Sequence, residues 1–287
     1  MIHRSFVSRW MGLIVALTLI AGWEALSLAV TTTGSYDEPL VPGWGYLFNV
    51  SLLRMSDYWS GGWGIPAPSE GGPASYAAAI LALGEASLVT FERMIAGVAL
   101  GAVGGALLGL VVSASDLARR LISPSVHILR MTPFLAMIPL FNLWFGATTF
   151  GIILFVAYGV GVIMFIGTAN AVKNVPKVYR DRAATVGASQ FATFRWVIVP
   201  AIFPEIRASF LLSFGLAWSL VVAGELLGAQ SGLGVIVTYA LQFAYTGRVL
   251  IVAMLFVIYA GVSFSLFDAV SRRIIDWHPQ AAKGTGK

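Results

Sequence analysis

The residue types that carry covalent, redox or metal chemistry are scarce in this sequence. The chain of 287 residues has no cysteine, and its histidines, His3, His127 and His278, stand far apart. Thiolate nucleophiles, disulfides and thiolate metal ligands are therefore excluded, and the histidines lack metal-ligand spacing. The one Gly-Lys pair, Gly286-Lys287, lacks the Ser or Thr and the helix that follow in a phosphate-binding loop. We expect no catalytic residue, no metal and no cofactor, so any ATP that drives this protein must bind to another chain.

Charged residues are few and unevenly placed. They make up 11% of the chain, against about 25% in an average soluble domain, while 58% of residues are hydrophobic and the mean hydropathy is +0.83. This composition favours a membrane protein. One charged stretch stands out between apolar runs, YRDRAATVGASQFATFRWVIVPAIFPEI at residues 179–206. The net charge of +5 could suggest nucleic acid. The placement of the basic residues beside apolar runs argues against that partner and for the bilayer.

Long apolar runs predict the fold class. A helix that crosses the hydrocarbon core of a bilayer needs about 20 apolar residues. The sequence predicts an all-α membrane protein with six transmembrane helices, near residues 10–30, 92–113, 122–145, 150–172, 203–227 and 249–270. The third and fourth share an uncharged stretch, with a turn expected at FGATTFG, residues 145–151.

The basic residues predict the orientation of the chain. Pairs of arginines precede the first span and follow the second and the sixth, and the loop after the fourth span has five basic residues and one acidic residue. With six spans, all of these lie on one side, which places both termini and that loop in the cytoplasm. Residues 31–85 lie outside. A cleaved signal peptide is the alternative for the first span, but its length and the lack of a small-x-small site favour an uncleaved anchor.

Three regions follow from this topology. Residues 1–85 form an anchor and a long extracytoplasmic loop, in which GGWGIPAPSEGGPAS at 61–75 is expected to be irregular. Residues 86–273 form the transmembrane core with a cytoplasmic loop at 173–200, and residues 274–287 form a cytoplasmic tail. The protein is expected to be a multi-pass protein of the bacterial cytoplasmic membrane.

The cytoplasmic loop has the pattern of a docking element. A short polar helix is expected over 178–186, followed by Gly187, a second helical stretch, and then Pro200 and Pro204 at the start of the fifth span. Because glycine has no side chain, another surface can approach the backbone closely at Gly187. The pattern indicates a helix that lies across the membrane face and contacts a partner.

This loop resembles the EAA loop of type I ABC-importer permeases. The family pattern is Glu-Ala-Ala, three residues, Gly, nine residues, then Ile-x-Leu-Pro. Here Asp181, Arg182 and Ala183 stand at the triplet, Gly187 at the glycine and Pro200 at the proline, with the spacing intact. Asp replaces Glu, Arg replaces the first Ala, and Val replaces Ile and Leu. The stretches at 130–146, 215–237 and 272–279 are similar to the nitrate, sulfonate and taurine branch.

The resemblance implies a function and a set of partners. Two permease subunits, identical or sister chains, would form a pathway between them, two ABC ATPase subunits would dock below, and an extracytoplasmic binding protein would deliver the solute. Residues Asp181 to Gly187 would be the coupling helix, and Pro200 would fix the turn into the fifth span. A small oxyanion such as nitrate, sulfonate or taurine is the expected solute, with aromatic acids or pyrimidines as the alternative.

Several residues inside the spans are further candidates. Gly97, Gly101, Gly105 and Gly109 form a smooth ridge for helix packing, either within one subunit or between two. Asn142, Trp218 and Glu225 are candidates for the transport pathway. Counting from Pro204, Glu225 lies roughly 31 Å along its helix, which favours a hydrated carboxylate at the outer interface over a gate. Trp218 could equally fill space in the core.

Arg93 and Arg130 flank spans and are expected to extend toward the interface. Two other functions remain as alternatives. An ion-coupled secondary transporter should show acidic residues at mid-membrane and an internal repeat, neither of which the sequence shows convincingly. A non-transporting scaffold would lack an ATPase partner.

Overall fold

The structure is a computed structural model that describes residues 2–34 and 38–275, with side chains for residues 10–12, 14–34 and 38–272. The predicted tail at 274–287 lies outside the described residues apart from its first two positions, and so do His278 and Gly286-Lys287. Within the described part the protein is helical, with only two isolated β-bridges, Thr33 to Pro39 and Gly62 to Ile65. The prediction of an all-α fold is confirmed.

The helices alternate between long apolar segments and short connecting ones. Their bounds, in chain order, are α1 Ile2–Ala29, α2 Trp44–Tyr46, α3 Tyr76–Ala114, α4 Asp116–Met131, α5 Phe134–Phe145, α6 Thr149–Asn174, α7 Lys177–Thr185, α8 Gln190–Thr193, α9 Val199–Leu226, α10 Leu233–Gln242 and α11 Thr246–Ile275. Short π and 3-10 turns occupy Leu47–Ser51, Leu53–Tyr58, Pro68–Glu70 and Phe194–Ile198.

Five helical segments among the described residues are long and apolar enough to cross a membrane. They are Trp10–Ala29, Tyr76–Ala114, Thr149–Asn174, Gln190–Leu226 and Thr246–Arg272. A sixth crossing exists only if α4 and α5 together form one span, and these two helices meet at an angle of 103°. The prediction of one continuous helix over 122–145 is therefore wrong. The cause is Thr132, which precedes Pro133 and has extended backbone angles (φ −69°, ψ 127°), because a residue before proline is disfavoured in the α region.

The second predicted span also differs from the structure. It was expected to begin near residue 92, but α3 begins at Tyr76 and runs for 39 residues, with Glu85, Glu92 and Arg93 inside it. The apolar run therefore continues through charged positions, and Arg93 lies well inside the helix rather than beside it.

The chain divides into two compact units. The first comprises Met1–Ser87 and Val235–Leu255. Its outer segment is ordered around buried side chains, chiefly Leu47, Met55 and Trp59, and the Trp59 indole donates a hydrogen bond to the Ile65 carbonyl at 3.0 Å. Trp59 also packs against Ala78 and Ala82 of α3. Residues 61–75, which were predicted to be irregular, have neither an α-helix nor a strand, and contain only the short turn Pro68–Glu70 and the bridge from Gly62 to Ile65.

Polar contacts tie this outer segment to the rest of its unit. Glu24 accepts a hydrogen bond from the Trp44 backbone N–H at 2.9 Å, and Arg248 forms an ion pair with Asp57 at 2.8 Å. Burial and a hydrogen bond to Glu38 raise the pKa of Tyr46 to about 12, because both disfavour the phenolate. These contacts attach Trp44 to α1 and Asp57 to the start of α11.

The second unit comprises Leu88–Gly234 and Phe256–Lys287. Helix α6 lies at its centre, and its main packing partner is α9. The core between them contains Phe155, Val156, Val160, Leu220 and Val221, each no more than 2% exposed. Small residues along α6 allow this close packing, and they position the two features described next.

Candidate coupling loop and buried ion pair

The loop at 173–200, predicted to be cytoplasmic, contains the short helix α7 and a glycine-dependent helix end. Gly187 has φ +73°, and the backbone N–H groups of Gly187 and Ala188 donate to the carbonyls of Ala184 and Ala183, each at 3.0 Å. These two bonds form a Schellman motif, in which glycine is favoured because the left-handed conformation strains other residues. The space beside Gly187 is open. Glycine is therefore favoured at this position because it ends the helix. The sequence analysis had explained Gly187 only by the close approach of another surface.

Helix α7 presents a mixed charged and apolar surface. Asp181 and Arg182 are exposed, whereas Ala183 is buried and holds the helix against the rest of its unit. Exposed apolar side chains surround them, at Val178, Tyr179, Val186, Phe191 and Trp196. Clustered exposed apolar residues beside charges are typical of a protein-protein contact.

The second part of the loop is helical and continues into α9 without a reversal of chain direction. Ser189 caps α8 by accepting a hydrogen bond from the Ala192 N–H at 3.2 Å. The π-helical turn Phe194–Ile198 then leads directly into α9, and Ile198 has helical angles (φ −72°, ψ −51°). The prediction that Pro200 turns the chain into the fifth span is therefore wrong. Pro200 lies inside this continuous helix, directly after the π-helical turn, and its missing N–H removes one helical hydrogen bond there.

A buried ion pair joins α3 and α9. Arg93 and Glu225 have side chains that are 2% and 0% exposed, and Arg93 Nη1 lies 2.8 Å from Glu225 Oε1. The expectation of a hydrated Glu225 is therefore wrong, and so is that of Arg93 extending toward the interface. Each charge is balanced by the other, which is how ionisable groups are accommodated inside apolar helix packing.

The side chains of the ion pair also form hydrogen bonds with α3, with α6 and with the segment that follows α9. Glu225 accepts hydrogen bonds from the Thr90 hydroxyl at 3.0 Å and from the Gly234 N–H at 2.9 Å. Arg93 donates to the Ser231 carbonyl at 2.6 Å, to the Ser231 hydroxyl at 2.8 Å and to the Thr149 hydroxyl at 3.0 Å. The ion pair thus connects α3, the start of α6, the end of α9 and the loop before α10.

Glycine makes room for this carboxylate. Gly232 has φ +104°, and a Cβ at this position would lie 2.6 Å from the Glu225 carboxyl carbon. A side chain there would displace the carboxylate or the backbone. The GLG sequence at 232–234 therefore shapes the loop around Glu225.

Residues 101–276 match the family model of the binding-protein-dependent transport system inner membrane component. The chain belongs to this family. The match covers more than half of the chain and includes the coupling loop, α9 and Glu225. The predicted family and the multi-pass inner-membrane location are confirmed.

Three individual relatives are similar over 61% to 66% of this chain. The aliphatic sulfonates transport permease protein SsuC of Bacillus subtilis (strain 168) is 31% identical over 189 residues, 66% of this chain and 68% of the relative. The taurine transport system permease protein TauC of Escherichia coli (strain K12) is 31% identical over 174 residues, 61% of this chain and 63% of the relative. The nitrate import permease protein NrtB of Leptolyngbya laminosa is 26% identical over 181 residues, 63% of each chain. The chain thus spans about two thirds of the length of these relatives.

Solved structures show the same fold. An inward-facing structure of the MetNI methionine ABC transporter has a TM-score of 0.53 at 23% identity, over 65% of this chain and 91% of that chain. A crystal structure of an amino acid ABC transporter with histidines has a TM-score of 0.52 at 19% identity, over 66% and 92%. The predicted type I importer permease fold is confirmed.

The other predicted pathway residues have partners within the permease chain. Asn142 donates a hydrogen bond to the Leu227 carbonyl at 2.7 Å, which fixes α5 to the end of α9. Trp218 is 6% exposed, its indole donates to the Ser263 hydroxyl at 3.1 Å, and its ring meets the edge of Phe91 at 5.2 Å. These contacts place both residues in the packing of the second unit, and they leave a pathway role for either residue as a prediction.

The glycine ridge of α3 packs against α6. A Cβ at Gly97 would lie 2.6 Å from the Val156 Cβ, and one at Gly109 would lie 2.8 Å from the Phe165 carbonyl oxygen. At Gly101 and Gly105 the Cβ would meet the backbone of Ala157 and Gly161. Of the two alternatives, packing within one subunit is the arrangement that the described residues show.

We expect Gly105→Leu to prevent close packing of α3 on α6 and to lower the thermal stability of the purified protein by several degrees. Backbone atoms of Gly161 occupy the position of the new side chain and cannot rotate away. Gly104→Leu is the matched control, because nothing lies within 4 Å of a Cβ there. Fluorescence-detected size-exclusion chromatography after heating measures both. Equal stability of the two variants would contradict the assigned contact.

Proposed function

We propose that this chain is the membrane-spanning permease subunit of an ABC importer that takes up a small oxyanion, of the sulfonate, taurine or nitrate type. The family match over residues 101–276 supports this assignment most directly. The relatives described above whose names give a solute are permeases for sulfonates, taurine and nitrate. The solute of this chain is inferred from theirs.

The energy for transport comes from another chain in this proposal. Two ABC ATPase subunits bind and hydrolyse ATP, and they contact the exposed surface formed by Asp181, Arg182 and Gly187. Ala183 was expected to belong to this contact, but it is buried and packs inside the chain instead. The exposed apolar residues around α7 support a protein partner there. ATP-driven closure of the ATPases moves α7, and a second permease subunit completes the pathway. A binding protein on the opposite side delivers the solute.

Reconstitution tests this proposal. The chain is incorporated into proteoliposomes with its ATPase and binding protein, and uptake of radiolabelled taurine, ethanesulfonate and nitrate is measured with and without ATP. We expect ATP-dependent uptake of one of these anions and no ATP hydrolysis by the chain alone. Robust hydrolysis without any partner, or uptake driven by an ion gradient alone, would refute the proposal.

The orientation of the chain is part of the proposal. Residues 1–85 contribute an anchor and an extracytoplasmic segment, and the loop at 173–200 faces the cytoplasm together with both termini. The basic residues of that loop and of α4 support this orientation.

We expect a single cysteine at Ser69 to react with a membrane-impermeant thiol reagent on intact spheroplasts. A cysteine at Ser189 is expected to react only after permeabilisation. Both serines are exposed, and the natural chain has no cysteine that could contribute to the signal. Labelling is quantified by gel shift. The opposite pattern would reverse the topology.

A further inference from the structure

A cavity lined by basic side chains lies behind the coupling helix. Its volume is about 560 Å³, and α3, α4, α6 and α7 all contribute to its walls. The basic lining residues are Arg119, His127, Lys173, Lys177 and Arg180. Ser113, Ser123 and Asn170 add neutral hydrogen-bonding groups, and none of the residues that line it is acidic. The cavity is therefore suited to an anion.

Most of this positive charge is not balanced within the protein. Arg119 forms an ion pair with Asp116 at 2.5 Å, and Arg180 donates to the Val172 carbonyl at 3.1 Å. Within residues 38–272, neither Lys173 nor Lys177 has an ion-pair partner. Uncompensated cations that converge on one cavity attract a multivalent oxygen ligand.

Helix α4 has the character of a helix that lies at a membrane surface. Leu117, Leu121 and Ile128 form one exposed apolar row, each more than 65% exposed. At 100° per residue, the cavity-lining Arg119 falls on the opposite side of the helix, and His127 lies on the flank, about 100° from the apolar row. A helix with a basic face and an apolar face is typical of the bilayer interface.

We propose that this cavity binds the phosphate group of an anionic phospholipid of the cytoplasmic leaflet. The assignment to that leaflet rests on the orientation given in the proposed function. Basic cavities between helices on this side of a membrane suit acidic headgroups. The acyl chains would contact the apolar row of α4, and the headgroup would reach the cavity along the flank of the helix at His127. The bound phosphate would link Arg119 of α4 and Lys173 of α6 to Lys177 at the start of α7. The lipid would thereby hold α7 in place against α4 and α6.

Binding to the purified chain tests this inference without transport. The chain in neutral detergent is titrated with phosphatidylglycerol or phosphatidylcholine, and the unfolding temperature and the lipid retained in native mass spectrometry are measured. We expect saturable stabilisation by phosphatidylglycerol alone. Lys173→Gln combined with Lys177→Gln should weaken it about tenfold or more, at about 1 kcal/mol for each surface cation.

The controls separate a specific site from diffuse charge. Arg120→Gln combined with Arg130→Gln removes the same charge from exposed positions on α4 outside the cavity lining and should leave binding unchanged. Lys173→Arg combined with Lys177→Arg keeps the charge, should retain binding, and shows that the positions tolerate substitution. If the Gln pair does not fold, Arg119→Gln replaces it as the test variant. Equal weakening by the Arg120 and Arg130 pair would refute a defined site.

A second arm distinguishes lipid from a free anion. Inorganic phosphate and sulfate are titrated in place of phosphatidylglycerol at matched ionic strength. We expect no saturable stabilisation by either. If they stabilise the protein and Lys173 and Lys177 are required, the cavity is a site for a free oxyanion and the lipid assignment is wrong. No ATPase is present in this experiment. Its outcome therefore does not depend on whether the chain is an importer subunit, which the reconstitution experiment tests separately.

Discussion

Replacing Arg93 by Met is expected to destabilise the protein by about 3–5 kcal/mol, because it leaves the Glu225 carboxylate buried and unpaired. The substitution also removes the hydrogen bonds that Arg93 donates to Ser231 and Thr149. The measurement is thermal or denaturant unfolding in mild detergent, compared with Arg130→Met as a control. Arg130 is an exposed arginine at the end of α4, so the control should change little.

The double variant Arg93→Met with Glu225→Leu is expected to recover part of the lost stability. Replacing both members of a buried ion pair by apolar residues is often neutral or nearly so, whereas removing one member is costly. The interaction energy from this double-mutant cycle measures the coupling between α3 and α9. Additive effects of the two substitutions would show that the pair does not act as a unit.

Gly187→Trp is expected to abolish ATPase stimulation and uptake in the reconstituted importer, while the chain remains in the membrane. Gly187 has φ +73° and ends α7, and a bulky residue strains that conformation and fills the open space beside it. Gly187→Asn is the matched control, because asparagine tolerates left-handed backbone angles. It should retain most activity.

The two substitutions together distinguish docking from stability. Co-purification of the ATPase with each variant reports assembly, and unfolding in detergent reports the fold. We expect Gly187→Trp to lose the ATPase while its membrane helices unfold at the normal temperature. Full ATPase stimulation by Gly187→Trp would exclude this surface as the docking site.

The sequence predicted those features that depend on local composition. Long apolar runs predicted the helical membrane fold, and the spacing of Asp181, Gly187 and Pro200 identified the family. The Thr132-Pro133 pair contains a signal for the break between α4 and α5 that the analysis of apolar runs overlooked. A hydropathy pattern alone cannot separate one span from two helices that meet at 103°, because both contain the same apolar residues.

The buried ion pair could not be predicted in the same way. Arg93 and Glu225 are separated by 132 positions, and nothing in the residues around either one identifies its partner. Treating the charged residues near 92 as the end of a span excluded Arg93 from the membrane. The error has a physical reason: a charge in an apolar helix costs much less when it is paired and hydrogen-bonded, and pairing depends on tertiary structure.

The continuous helix from Gln190 to Leu226 joins the last part of the proposed coupling loop, residues 190–200, directly to the Glu225 end. Its 37 residues correspond to roughly 55 Å at 1.5 Å per residue. The π-helical turn at Phe194–Ile198 is a wide turn near one end. Moving such a turn by one residue turns the side chains it passes by about 100° around the axis. We therefore expect movement at the loop end of this helix to reach the Glu225 end as rotation about the helix axis. A shift of the π-helical turn along the helix would allow that rotation.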